Sequence, residues 1–413
     1  MQAPLLPRQS TLDYNHADID LDALKHNYKT ISAFAGQRPV MGVVKGDAYG
    51  HGLVECAQAL VDAGAPVLGV LDAREGAALR AAGIKKTAIY VLAGLTSDLQ
   101  MTTAMRNDLS AFVYSPEQLL SLATAAAKET RRLRCFLKID TGMGRLGVPW
   151  NQVEDFLAMA AGNPHLDVDG LATHLATIGD APAINQLTRF WGVCARAEQV
   201  FRRPLVHSAL SGGAMLAHPD YPDGLSRPGL VLYGAVPELS AGPPPPRLSR
   251  AWTPHIPAPP PPLGPTVRAL PPASRACADN LRPVMRVVTR VLQVKTVRRG
   301  EAISYEGTYR AERDIRAVIL PIGYVHGLQI LRSGKCAAII RGKVAPQLGR
   351  VCMNLSVYDA NGIPSVQAGD EAVLLGTQDG ITLGPAGIPG DGLSPYETLC
   401  LFGRLNARRF TKR

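Results

Sequence analysis

The amino-acid sequence predicts an α/β chain, with an N-terminal (β/α)8 TIM-type barrel followed by a mostly antiparallel β domain. Three observations carry that reading. Short apolar, β-branched runs alternate with amphipathic helical stretches through residues 1–236. The alternation stops in residues 237–283, which hold fifteen of the chain's 33 prolines. From 284 to 413 the β-branched runs resume, separated now by Gly, Asp and Asn turns. Apolar strands joined by helices imply parallel pairing with both faces covered, whereas strands joined by turns imply antiparallel pairing.

Taken in order, residues 38–45 read as the first buried strand and 53–65 as the helix that follows it. Residues 66–71, 87–92, 110–114, 133–140, 168–174 and 205–210 supply six more strands, with helical pattern between them, as at 74–82. Ser115 followed by Pro116 is a helix-start signal, since proline lacks the N–H that a first turn cannot satisfy. An eighth strand is expected within 224–234, where Pro228 blurs the boundary. Eight such units in this length make a closed barrel. The segment 237–283, with prolines at 243–246 and 259–262, lacks the apolar content for a core and reads as an extended linker. Beyond it, 284–297, 315–322, 336–340, 350–358 and 371–375 read as strands.

Composition narrows the function classes. Hydrophobic residues make up 46% and charged ones 19%, as in globular proteins. No run of about 18 apolar residues occurs, so no membrane span is expected. The opening residues lack a basic region followed by an apolar one, so no signal peptide is expected. Seven scattered cysteines with no Cys-x-x-Cys pair argue against a disulfide framework or a zinc site and fit a reducing, cytoplasmic setting. The net charge of +10 is spread along the chain and densest at 404–413, which reads as a solvated basic surface and not a nucleic-acid site.

In such barrels the active site lies at the C-terminal ends of the strands. Lys45 ends the first strand and leads into Gly-Asp-Ala-Tyr49-Gly-His-Gly52. Lys138 lies in the fifth, which runs into Thr141-Gly-Met-Gly-Arg145; Thr173-His174 ends the sixth. His207 and Ser211-Gly-Gly213 follow in the seventh unit and Arg227-Pro-Gly229 in the eighth. A lysine at the mouth of strand one, with glycine-rich turns and a hydroxyl after strands seven and eight, describes a site for a phosphate-bearing aldehyde. The lysine forms a Schiff base, and glycine amides hold the phosphate. Plainer alternatives stand beside each residue: an exposed loop lysine for Lys45, a paired structural lysine for Lys138, a satisfied core histidine for His174, a core aromatic for Tyr324.

One motif points elsewhere. Gly142-Met-Gly-Arg-Leu-Gly147 follows a strand, and Asp167 comes about 20 residues later, as in a dinucleotide fingerprint. There the helix begins within the glycine loop. Here Val148-Pro149-Trp150 intervenes, and Asn151 with Glu154 reads as a capping box that starts the helix late, away from any pyrophosphate.

Longer motifs carry a resemblance. Ala17-Asp-Ile-Asp-Leu with Asn27, Val43-Val-Lys45-Gly-Asp-Ala-Tyr49-Gly-His-Gly52 and Lys138-Ile-Asp-Thr-Gly-Met-Gly-Arg145-Leu-Gly147 stand in that order. Arg227-Pro-Gly229 with Tyr233-Gly234, Ile303-Ser-Tyr305, Pro321-Ile-Gly-Tyr324, Gly349-Arg-Val-Cys-Met353 and Tyr396-Glu397 follow. Together they resemble the alanine racemase family along the whole chain except the proline-rich insert. The resemblance implies a pyridoxal 5'-phosphate enzyme that interconverts L- and D-alanine for the cell wall as a homodimer with shared active sites. It implies that Lys45 carries the cofactor and is one catalytic base, and that Tyr305 of the other subunit is the opposite base. Tyr49, Ser211, Gly229, Leu230 and Tyr396 would hold the phosphate, and Arg227 would face the pyridine nitrogen. Arg145 would approach the ring hydroxyl, steadied by a carbamylated Lys138, with His174 buttressing the network. Met353's backbone would meet the substrate carboxylate, and Tyr324 and Arg350 would line its access.

The chain departs from the pattern at Leu210, Asn354, Tyr324-Val-His326-Gly327, Ile178-Gly179 and Leu328-Gln-Ile330, and by the added stretch 243–280. These positions bear on substrate preference more than on reaction type. The alternatives are a racemase of serine or of a broader amino-acid range, a related barrel decarboxylase, and a non-catalytic cofactor carrier. The decarboxylase and the carrier would lack Tyr305.

Overall fold

The computed structural model describes residues 14–236, 269–385 and 394–411. By contacts the chain divides into two compact units, one of residues 24–48 and 53–282, the other of residues 1–23, 49–52 and 283–413.

In the first of these, seven strands pair in parallel in chain order: Met41–Val43, Val67–Val70, Ala88–Val91, Ser110–Val113, Leu133–Asp140, Leu166–Ala172 and Val206–Ser208. Their residues are mostly buried, as strands covered on both faces must be. The expected eighth strand is reduced to single bridges. Ser226 pairs with Val40 and Arg227 with Ser211, which closes the ring from the last strand to the first. Pro228 has no N–H to extend that ladder, and the chain turns into a 3-10 helix, Leu230–Tyr233. Tyr233 and Tyr28 donate their hydroxyls to the carbonyls of Val43 and Val40, at 2.9 and 3.0 Å, pinning the first strand.

Helices alternate with these strands. Pro116–Lys128 starts where the sequence says, Ser115 accepting from the Gln118 amide. Asp72, Ser97 and Asp180 cap Ala73–Ala81, Asp98–Arg106 and Ala181–Phe201 in the same way. The capping box expected at Asn151 and Glu154 does not form. The helix Glu154–Ala161 does begin late, but Val153 occupies its N-cap with no side-chain bond. Of the proline-rich stretch, 237–268 lies outside the described residues, while Pro272–Asp279 is a helix the sequence reading did not foresee.

The other unit is built on a ten-stranded sheet. Its path runs Gln293–Val297, Ile315–Leu320, Ser356–Asp359, Lys343–Leu348, Ala337–Ile340, Glu371–Gln378, Met285–Arg290, His16–Asp20, Ala407–Thr411, and the tenth strand, Ile381–Leu383, pairs with Glu371–Gln378 off this path. Every pairing is antiparallel except that of His16–Asp20 with Ala407–Thr411. The strand His16–Asp20, polar at alternate positions, was not anticipated. A hairpin of Ala302–Ile303 and Tyr309–Arg310 packs Ile303 into a small core with Val297, Ala311, Ile315, Ala317 and Leu348. That core anchors the loop carrying Tyr305. No helix among the described residues is long and apolar enough to cross a membrane.

Candidate active site

Lys45 emerges directly after the buried strand Met41–Val43. The chain then leaves the strand in an unusual way. Gly46, Asp47, Ala48 and Tyr49 all carry positive φ, between 53° and 66°, a left-handed turn that costs an L-residue about 1–2 kcal/mol per position. Half-buried amide contacts hold it: the Asp47 amide donates to Glu75 at 3.0 Å, and the Asp47 carboxylate accepts from the Leu53 amide at 2.8 Å. Strain of this kind persists where its surroundings over-determine it, commonly beside functional groups.

Around the strand ends of the same unit several basic side chains gather. Lys138, near the C-terminal end of its strand, has a buried Nζ with no hydrogen-bond partner among the described residues. Burial drives its ammonium well below the ordinary lysine range, Arg227 and Arg145 push the same way, and Asp140 opposes them. The plainer reading of Lys138 as a paired structural lysine is thereby set aside. His174 is depressed to about 2, first by burial and then by Arg227, Lys138, Arg145 and Lys45. Its imidazole is neutral, with four basic side chains acting on it.

Arg227 is buried. It donates to the Ser208 hydroxyl and, at 2.5 Å, to the Thr173 carbonyl. Burial lowers it to about 10, against the attraction of Asp223, so the guanidinium stays charged near neutral pH. Arg145 is exposed, on the loop whose amides at Gly142, Met143 and Gly144 converge on the Asp140 carboxylate within 3.2 Å. Ser211 precedes the short helix Gly212–Ala217, and Gly229 precedes Leu230–Tyr233. Those two segments are locked together, since a Cβ on Gly212 would lie 2.4 Å from Val231 Cγ2. Ser211, Gly229 and Leu230 are therefore held by one packing contact and by the Ser211–Arg227 bridge.

In the other unit, Tyr49 is buried with its ring centroid 6.0 Å from that of Tyr396. Burial, then Tyr396 and Cys400, push its phenol up. Tyr305 is 66% exposed at the tip of its hairpin, and Tyr324 and Met353 are 38% and 53% exposed, so Tyr324 is no core aromatic. Tyr324 and Val325 donate main-chain amides to the carbonyls of Cys352 and Met353, each at 3.2 Å. Arg350 pairs with Glu306, next to Tyr305.

Some residues of the site escaped the sequence reading. Asp223 is buried and accepts from the Ala209 amide at 2.7 Å, the Leu210 amide at 3.3 Å and the Ser226 hydroxyl at 3.0 Å. Burial pushes it up to about 6 despite those donors and Arg227. Its Pro-Asp-Gly context reads as an ordinary turn. Gln186 spans the Thr141 hydroxyl, the His174 carbonyl and the Ala176 amide at 3.3, 3.2 and 2.8 Å, from within an ordinary helical pattern.

With this geometry in view, known proteins can be compared. The family model described as the alanine racemase N-terminal domain matches residues 19–237, and that of the alanine racemase C-terminal domain matches 284–410. An alanine racemase of Syntrophobacter fumaroxidans is 33% identical over 407 residues, covering 96% of this chain and 97% of that one. The crystal structure of alanine racemase from D-cycloserine-producing Streptomyces lavendulae superposes with a TM-score of 0.83 at 29% identity, covering 98% of each chain. That of Bartonella henselae, described with covalently bound pyridoxal phosphate, has a TM-score of 0.78 at 22% identity, covers 97% of this chain and 100% of its own, and speaks to the fold alone. The chain belongs to the alanine racemase family.

Proposed function

We propose that the chain is a pyridoxal 5'-phosphate-dependent racemase of L- and D-alanine, acting in the cytoplasm as a homodimer and supplying D-alanine for peptidoglycan. The observation that carries this reading is the gathering of four basic side chains, Lys45, Lys138, Arg145 and Arg227, around a neutral His174. A buried, unpartnered Lys138 Nζ in such a cluster suits an anionic, phosphate-bearing group with polar ring atoms. Pyridoxal phosphate, when bound, withdraws electrons from the substrate so that its α-hydrogen becomes acidic.

Lys45 Nζ would hold the cofactor covalently between turnovers and, as a free amine during turnover, would move a proton on one face of the substrate's Cα. The phenol oxygen of Tyr305 of the partner subunit does so on the opposite face, since inversion needs removal and return from opposite sides. Arg227, charged near neutral pH and clamped by Ser208 and Thr173, would face the ring nitrogen and disfavour a proton there. Such a partner would disfavour the side reactions of transamination and decarboxylation. The phosphate is assigned to Ser211, Gly229 and Leu230 with the hydroxyls of Tyr49 and Tyr396. Arg145 is assigned to the ring hydroxyl, and the Met353 backbone to the substrate carboxylate, with Tyr324 and Arg350 along its access path.

Lys138 is assigned as a carbamate. Its lowered basicity favours the neutral amine, which adds CO2 and releases a proton, turning a neutral group beside Arg145 and Arg227 into an anion that would bridge them. A chiral assay of the purified protein with alanine, serine and lysine tests the function. Racemisation of alanine above the other two, with visible absorbance that disappears in Lys45→Ala, is expected. A colourless protein that inverts none of them contradicts the reading.

A further inference from the structure

Tyr305 is flanked by two residues in conformations that side chains rarely adopt. Ser304 has φ 65° and ψ −173°, and Glu306 has φ 62° and ψ 1°. The first region is populated almost only by glycine, yet neither residue is glycine. Such backbone persists where neighbours over-determine it, and here one neighbour acts on both sides. The Arg350 carbonyl accepts the Ser304 hydroxyl at 2.5 Å, while the Arg350 guanidinium forms an ion pair with the Glu306 carboxylate. Arg350 is itself placed by Gly349, whose φ of +68° brings its Cα so near Ile303 that a Cβ would lie 2.5 Å from the Ile303 carbonyl. Ile303 belongs to the small core beneath the hairpin. The linkage therefore runs from the core through residues 349 and 350 to both flanks of the tyrosine.

Folding stability does not account for this arrangement. The Arg350 and Glu306 side chains are 37% and 64% exposed, and pairs that exposed add little. Glycine at 306 would take the same φ without strain. We propose that Glu306 is a positioning residue whose pairing with Arg350 aims the Tyr305 phenol at the substrate's Cα. The inference rests on the reading of Tyr305 as a proton-transfer group, and it adds a residue that contacts neither substrate nor cofactor. Aim matters because displacing a reacting group by about 1 Å can lower a rate by up to about 100-fold.

Four holoenzyme variants are measured in both directions for kcat, KM and melting temperature. Glu306→Ala keeps the strained backbone and loses the pair, and its kcat is expected to fall about 10-fold with KM changed less than about 2-fold. Glu306→Gln keeps an acceptor for Arg350 and is expected to stay within about 3-fold of the parent kcat. Glu306→Gly relieves the backbone, so it is expected to lose kcat like the alanine variant while its melting temperature holds or rises by about 2 °C. A purely structural role would lower both together. Parental kcat in Glu306→Ala, or a loss carried entirely by KM, overturns the proposal. Tyr305→Phe separates the two ideas: if it alone leaves both directions undiminished, the underlying reading of Tyr305 fails instead.

Discussion

Replacing Lys138 by methionine, of similar length and uncharged, exposes what stands at the centre of the cationic cluster. The Nζ is buried with no acceptor, two guanidiniums act against its charge, and only Asp140 favours it. A buried polar group with no partner costs about 1–3 kcal/mol, so for protein depleted of bicarbonate we expect Lys138→Met to be more stable by about 2 kcal/mol. That corresponds to a melting temperature about 4 °C higher. Added bicarbonate reverses the order. It converts the wild-type amine to an anion between Arg145 and Arg227, and the wild type then gains stability with bicarbonate concentration as any folded-state ligand requires. The methionine variant has no amine and does not respond. Differential scanning calorimetry of the holoenzymes, with and without bicarbonate, reads both effects. Equal bicarbonate responses in the two proteins, or a methionine variant less stable in depleted buffer, would overturn this picture of Lys138.

Other consequences follow from the same cluster and its supports. Asp223→Asn removes one acceptor for the Ala209–Leu210 amides, so chemical denaturation is expected to show a loss of about 1 kcal/mol near pH 4, where the wild-type carboxyl is protonated, and a smaller difference at neutral pH. Because the folded carboxyl is raised to about 6 from 3.8, its contribution to stability grows as pH falls through about 6 and is fully present below about 4. The asparagine variant should lack that slope. His174, depressed to about 2, is expected to keep unchanged imidazole NMR shifts between about pH 5 and 8, where an unperturbed histidine titrates. Gly212→Ala drives a Cβ to 2.4 Å from Val231. It is expected to destabilise by about 2 kcal/mol and, by displacing Ser211 from Leu230, to weaken cofactor retention on gel filtration.

Much of this was legible in the sequence because the signals are local. Seven barrel strands show as apolar β-branched runs, since burial on both faces leaves no polar alternation to confuse them. The helix at Pro116 announces itself through Ser115. Lys45 stands out because it ends such a run. What was not legible depends on distant partners. The strand His16–Asp20 is polar at alternate positions and is stabilised by residues 285–288 and 407–411, far along the chain. The eighth barrel element survives only as bridges because Pro228 removes a donor. Asp223 looks like a turn residue until the fold buries it, and the late start of the helix at Glu154 came without the capping bond its sequence suggested. Glu306 carried no signal at all, because its meaning lies in a φ angle and in Arg350.

In the proposed dimer each active site takes Lys45 from one chain and Tyr305 from the other. Mixing two impaired variants, Lys45→Ala and Tyr305→Phe, under conditions that exchange subunits tests it directly. Random exchange makes half the dimers hybrids, each with one intact site of two, so activity is expected to recover to about a quarter of the wild-type value. Activity no higher than the sum of the separate variants, in a mixture shown to contain hybrids, would contradict the shared site.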